Sequence, residues 1–381
     1  MHDALSHRAI QKFILEPAKA LTTVGPILIV IDALDESAEE ASRKTLLDVL
    51  AKGISDLPSN FRILITTRPE RDIVSAFSDN QHIFCKHMNA IDKASNDADI
   101  ALFIESQLSG VYSLALEWPN KHWCRMLMQS SGGLFQRAST ACRAIKETKG
   151  GLRPTERLSR FVSSGRGLDA LYVEVLRQAF DTEDDTVMSC FRSVMGAILV
   201  TKIPLSILTH SELRADDDPE DLVDLIVQSL GSLLSGVNRP HIPIRALHAS
   251  FFDFLTDPDR SKSYYVDPSH HHRTLTLSCL RIMRLGLMFN ICGLETSHIR
   301  NRDVPGLDTR VEKAITQHLS YACIFWADHL IVTGYDTEIL NEIINFFHCQ
   351  LLYWLECLSL MKRVHVASRM LHLFLDWNQV S

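Results

Sequence analysis

Four side chains stand where two apolar runs end. Ile27-Leu28-Ile29-Val30-Ile31 is followed by Asp32-Ala33-Leu34-Asp35-Glu36, and the run from Phe61 to Thr67 ends in Thr66-Thr67-Arg68-Pro69. In open α/β sheets, ligands bind beyond the carboxyl ends of the strands. An Asp at that point, here Asp32, can hold Mg²⁺ beside a nucleotide's phosphates, usually through water. Asp35 and Glu36, a few positions on, can orient or deprotonate an attacking water. Arg68 puts a cation where a γ-phosphate can be sensed. The plainer alternative is that acidic residues end a strand and solvate a helix start. The recurrence of the pattern at the second run favours the ligand site.

The elements that must hold these residues follow from periodicity. A continuous, mostly β-branched run between turn signals, such as 27–31, reads as a strand buried on both faces. Residues 2–21 read as a helix burying Ala4, Leu5, Ala9, Ile10, Phe13 and Leu21, ended by Gly25-Pro26. A further helix starts at Ser37, where Ser37 and Glu40 have capping-box spacing, and runs through Leu46, Leu50, Ile54 and Leu57. A third strand is expected from His82 to Met88. Strands alternating with helices predict an α/β domain with a parallel sheet. From about residue 92 the pattern turns helical, at 93–109, 119–130, 134–148 and 168–180, with joints at Gly150-Gly151 and 163–167. Over 183–266 a helix near 184–199, Ile203-Pro204-Leu205, a helix opened by Asp218-Pro219 and a turn-and-strand pair from Gly231 to Ile244 predict a winged helix. The remainder, to about 378, has helical periodicity.

Composition bounds the function classes. The chain has 381 residues, 46% hydrophobic and 22% charged, which excludes a fibrous or wholly disordered protein. A net charge of -7 argues against nucleic acid or an anionic membrane as the main partner. Nine cysteines with no C-x-x-C spacing fit a reducing compartment. The start lacks a basic region followed by an apolar run, and the apolar stretches at 194–208 and 343–360 are interrupted. A soluble, cytoplasmic protein is expected.

The motifs also carry a resemblance. ILIVIDALDES at 27–37 and FRILITTRPE at 61–70 resemble the Walker B and sensor segments of NACHT-type P-loop NTPases of the STAND class, most closely the fungal group with a nephrocystin-like NACHT domain. LHASFFDFLTDP at 247–258 is similar to the winged-helix signature of those proteins, and 264–273, 289–295 and 318–323 add matches. With periodicity, the resemblance divides the chain into a partial nucleotide-binding domain at 1–90, a helical domain at 91–182, a winged helix at 183–267 and a C-terminal helical region at 268–381. The fold class is thus α/β, a partial P-loop NTPase sheet, followed by mostly α-helical domains. The resemblance also implies a phosphate-touching role for His248. The usual trailing Asp is Ala249 here, and a plain core or surface histidine is the alternative.

One motif is missing. A P-loop needs G-x-x-x-x-G-K-[ST], whose backbone amides cradle phosphates while the Lys pairs with them. None of the 16 glycines precedes a Lys. In the resembling family the P-loop lies N-terminal to the first residues of this sequence, so the chain reads as one that starts late. No cofactor is expected for the chain by itself; Mg-ATP or Mg-GTP would bind if a P-loop came from elsewhere. The family's P-loop strand would lie between 62–67 and 82–88, and its absence leaves unpaired backbone groups. Two functions follow. The first is a degenerate or truncated signalling or scaffold protein that acts through protein partners, full-length NACHT relatives among them. The second is an NTP-binding switch whose P-loop lies upstream or on a partner chain. A DNA-binding winged helix is opposed by Glu212, Asp216, Asp217, Asp218, Glu220, Asp221 and Asp224. His270, His271 and His272 point about 100° apart on a helix and cannot share one ion, so they read as a solvated helix start. Cys349 and Cys357 read as core thiols.

Overall fold

The computed structural model describes residues 11–23, 25–37, 40–52, 56–78, 80, 82–86, 92–109, 121–146, 153–163, 167–214, 222–296 and 298–379. It divides into two compact units, Met1–Asp92 and Lys93–Ser381.

In the first unit, β1 (Ile27–Ile31) and β2 (Phe61–Ile65) pair in parallel, in a register running from Ile27 opposite Phe61 to Ile31 opposite Ile65. α1 (Glu40–Lys52) lies between them in sequence and α2 (Arg71–Ser78) follows β2. Leu47, Leu50 and Ala51 of α1, Ile73 and Phe77 of α2, and Leu34 form a small core on which Ile31 and Ile65 pack. Side chains alternate across a strand, so Leu28, Val30 and Leu64 point the other way. They are 62%, 57% and 53% exposed. The strands are therefore half-buried, which corrects the expectation of burial on both faces; among the described residues the core lies on one side of the sheet.

Other local expectations also change. Residues 82–86 form no strand: Ile83 packs onto the core while Phe84 faces solvent, so the run supplies one anchor rather than a sheet edge. Met88 lies outside the described residues. Residues 2–10 of the first expected helix also lie outside them. Helical turns follow at Gln11–Leu15 and Glu16–Lys19, burying Leu15 and Ala18 while Phe13 and Leu21 are exposed. Ser37 Oγ donates to the Leu34 carbonyl at 2.7 Å. It thereby closes the short turn Leu34–Glu36, and residues 38–39, where the helix expected from Ser37 would open, lie outside the described residues. The core stripe of α1 is Leu47, Leu50 and Ala51, with Leu46 exposed.

The second unit is almost wholly helical. α3 (Lys93–Leu108), α4 (Lys121–Ser131), α5 (Phe135–Lys146), α6 (Pro154–Ser163) and α7 (Leu168–Ala179) surround a core built from stripes such as Ile100, Ile104 and Leu108, spaced to face one side. α6 was not expected between its glycine- and serine-rich flanks; Leu158 and Phe161 bury it. α8 (Asp185–Val200) is capped by the Asp184 carboxylate, which accepts from Thr186 N and Val187 N. α9 (Ile207–Leu213), also unexpected, is capped by Ser206. α10 (Leu222–Gln228) follows; the expected Asp218-Pro219 start lies outside the described residues. β3 (Leu234–Ser235) and β4 (Arg245–Ala246) pair antiparallel, and Ser206 bridges to Pro243. Gly236, with φ 83°, follows β3, and a Cβ there would sit 2.5 Å from the Pro243 carbonyl oxygen.

α11 (Ser250–Leu255), α12 (Pro258–Ser261) and the long α13 (Pro268–Gly286) lead into the last region. There α14 (Leu307–Ala314), α15 (Gln317–Leu330), α16 (Thr337–Cys349), α17 (Leu351–Leu360) and α18 (His365–Gln379) enclose a second core around the edge-to-face pair Trp326 and Trp354. Trp354 Nε1 donates to the Cys323 carbonyl at 2.9 Å. Cys357 is buried in this core as expected, but Cys349 is exposed at the end of α16. His272 is buried too, so only His270 of the three adjacent histidines is fully solvated. Among the described residues, no single helix is long and apolar enough to cross a membrane; α16 and α17 together are apolar but bent by 74°.

Candidate functional site

The two strand ends of the first unit are stitched side by side. After β1, Ala33 takes a left-handed conformation with φ 51° and ψ 55°, which costs an alanine about 1–2 kcal/mol. That turn sends Leu34 into the core and lets its N–H reach the Thr66 carbonyl at 3.0 Å. Ala33 N donates to Thr66 Oγ1 at 2.9 Å. Thr66 Oγ1 in turn donates to Asp32 Oδ1. Three residues on, Asp35 Oδ1 accepts from Arg68 N at 3.0 Å, and Arg68 Nε lies 3.4 Å from Oδ2. The Asp35 side chain is only 6% exposed and that of Arg68 44%. Glu36 and Asp32 are exposed.

Behind this layer sits a buried cation. Arg43 of α1 is 4% exposed. Its Nη1 donates to the Asp35 carbonyl at 2.6 Å, its Nε to Asp72 at 2.9 Å, and its Nη2 to Glu70. A buried charge persists only when paired and hydrogen-bonded. The bond to Asp72 holds the Arg43 guanidinium above its ordinary pKa, and the same bond holds the Asp72 carboxyl below the usual carboxylate range. Sequence reasoning passed over Arg43. The signal was there, in the cluster Glu70-Arg71-Asp72 where α2 begins and an Arg one turn before the Leu47–Leu50 stripe.

The structure thus gathers Asp32, Asp35 and Arg68, with Glu36 beside them in sequence. His248 belongs to the second unit. Its Nδ1 lies 2.6 Å from Ser250 Oγ and accepts from Ser250 N at 3.2 Å, and Ser250 Oγ is 2.8 Å from Tyr172 OH. Burial raises the Tyr172 pKa, so its phenol stays protonated as a donor. The histidine thereby closes the start of α11 onto α7.

Mg²⁺ at a phosphate site is held by one or two carboxylates together with the phosphates. Here both Asp35 oxygens face Arg68, and Asp32 Oδ1 is taken by Thr66. The sequence offers no lysine-ended glycine loop to grip a triphosphate. No group of three or more His, Cys, Asp or Glu among them is placed to hold a metal ion.

Residues 2–68 match the family model described as nephrocystin 3, N-terminal. That span contains both strand ends. The chain is also 24% identical, over 370 residues, to vegetative incompatibility protein HET-E-1 of Podospora anserina; the alignment covers 88% of this chain and 25% of that protein. The chain accordingly spans about a quarter of that relative's length. No solved structure matches. The family model covers the motif at 27–37 and most of that at 61–70, and the relative extends the likeness over most of the chain: the chain resembles fungal NACHT-type proteins, with the nephrocystin-like part at residues 2–68.

Proposed function

We propose that this chain is a NACHT-type signalling or scaffold protein that acts through protein contacts and, by itself, hydrolyses no nucleotide. The pairing of Asp35 with Arg68 carries this reading. A carboxylate acting as general base must be free to take a proton from water, and a sensing arginine must be free to reach phosphate. Here each is the other's partner. The missing lysine-ended glycine loop supports the same reading. In the second unit, α8, the Ser206 bridge, α9, α10 and the β3–β4 hairpin follow one another in the order of a winged helix, which we read as a regulatory module. The free cysteines support a reducing, cytoplasmic location.

The test is calorimetric titration of Mg-ATP and Mg-ADP into the purified chain beside Asp32→Ala. No binding heat with a cooperative unfolding transition is expected. Micromolar binding that disappears in Asp32→Ala would overturn the reading. A second reading rests on Asp32 and Glu36 being exposed at the end of β1. It holds that the chain completes an NTP-binding switch when a P-loop is supplied from elsewhere. In that case, adding a segment bearing the loop would create binding sensitive to Asp32→Ala.

A further inference from the structure

The turn between α17 and α18 lies beside the loop that precedes α14. Asn301 Nδ2 donates to Ser359 Oγ at 3.2 Å, and Lys362 Nζ donates to Asp308 Oδ1 at 2.9 Å. These contacts gather Arg300 and Arg302 from the loop with Lys362 and Arg363 from the turn, all four exposed. Lys362 stands at φ 61°, a left-handed position where a helix end ordinarily has glycine. The turn therefore keeps a charge at a place that a residue without a side chain would fit better.

The balance of charge there is positive. Two carboxylates meet the four cations: Asp303, 3.6 Å from Arg302, and Asp308, on Lys362. Both pairs stand in water, with side-chain exposures from 57% to 81%, and exposed pairs are weakly held. Glu356, one turn before Ser359, accepts from Asn290 N at 3.2 Å. The C-terminal end of α17 adds about half a negative charge. The side chains of Arg300 and Arg363 have no partner among the described residues. Ile299 and Val364, next to those two arginines in sequence, are 49% and 50% exposed. The chain carries a net charge of -7, so a positive, partly apolar surface is a local feature and not a reflection of composition.

We propose that this surface docks an acidic segment of a partner protein: Arg300 and Arg363 take its carboxylates in bidentate pairs, and its apolar side chains lie against Ile299 and Val364. A protein segment fits better than an anionic membrane. Asp303 and Asp308 stand on the same surface, where they would meet the headgroups, and the net charge of the chain opposes that approach. The inference rests on the reading that the chain acts through protein contacts. Nucleotide binding lost in Asp32→Ala would overturn the non-hydrolysing reading and leave this surface untouched, whereas absent peptide binding would overturn this inference alone.

The experiment follows the fluorescence anisotropy of a short labelled peptide of repeating Glu-Glu-Leu triplets as the full chain is added, at low and at physiological salt. Binding that weakens with salt is expected, and the Gln-Gln-Leu analogue should bind about tenfold more weakly or worse. Arg300→Glu combined with Arg363→Glu should weaken peptide binding by about tenfold or more, at least the loss of one charge-assisted bond. Thermal unfolding should stay unchanged, because neither side chain has a partner to lose. Lys121→Glu combined with Arg125→Glu makes the same change in net charge at exposed positions of α4 and should leave affinity within about twofold. The proposal is overturned by any of these results: no peptide binding at millimolar chain, the Gln-Gln-Leu analogue bound as tightly, equal losses in the two double variants, or phosphatidylserine vesicles bound through the same two arginines in place of the peptide.

Discussion

Arg68 reaches Asp35 twice, with its backbone N–H at 3.0 Å from Oδ1 and its Nε at 3.4 Å from Oδ2. The backbone bond is the stronger half, since the carboxylate is nearly buried while the guanidinium is largely in water. Asp35→Ala should destabilise the first unit by about 0.5–1.5 kcal/mol, the loss of the bond from Arg68 N. Arg68→Ala keeps the backbone bond and should lose only about 0–1 kcal/mol, as for an exposed ion pair. Denaturant unfolding of the two variants checks the ranking. The reverse order would remove the structural role given to Asp35.

Arg43 links α1 to the Asp35 carbonyl, Glu70 and Asp72 at once. Arg43→Lys keeps the charge but not the planar fork that serves three acceptors. It should therefore destabilise the first unit nearly as much as Arg43→Ala. Because Asp72 is held below its ordinary pKa, its contribution is present above the unfolded carboxylate range and lost as pH falls through the lower folded value. Limited proteolysis of the first unit across pH 5 to 2 follows this loss, and Asp72→Asn should remove the pH-dependent part.

In the second unit, Lys202 N donates to Tyr321 OH at 3.1 Å, Tyr321 OH lies 2.8 Å from His329 Nε2, and His329 Nδ1 lies 2.9 Å from His272 Nδ1. Burial, then the neighbouring His272 and Lys202, push His329 down to about 3. Burial likewise lowers His210 to about 3 and His271 to about 4. Each is neutral when folded but takes up a proton near 6.5 when unfolded. The unfolded state therefore binds more protons between these values, and stability falls as pH drops below about 6.5, by about 1.4 kcal/mol per pH unit for each such histidine. Unfolding midpoints measured from pH 7 to 5 should fall before most carboxylates titrate. His329→Gln should flatten that slope while lowering stability at pH 7.

Gly236 holds φ 83° with the Pro243 carbonyl where a Cβ would be. Gly236→Ala should destabilise the second unit by about 1–3 kcal/mol, as other residues held in a sparsely populated backbone region do. Gly132 also has positive φ, but nothing lies near its Cβ position. Gly132→Ala should therefore lose less in the same unfolding assay.

The sequence showed clearly what is local. Runs such as Ile27–Ile31 and Phe61–Ile65 announce strands, and the stripe Ile100, Ile104, Leu108 announces a helix. It placed Asp32, Asp35 and Arg68 correctly at strand ends. Their pairing was hidden, because it depends on a register that aligns Ile31 with Ile65. Burial on both faces of β1 was misread because cover comes from distant segments and hydrophobicity alone does not report it. Arg43 was missed since a charge in a polar helical stretch reads as solvated until the acids that meet it are folded alongside. α9 is short and sits among turn-like residues, although Ser206 before Ile207 was its cap signal.

Leu28, Val30 and Leu64 form an exposed apolar strip on the two strands that pair among the described residues. Such a strip makes colloidal behaviour a property of a few side chains rather than of the fold as a whole. A charge introduced at Val30 breaks that strip and leaves the core on the other face of the strands untouched.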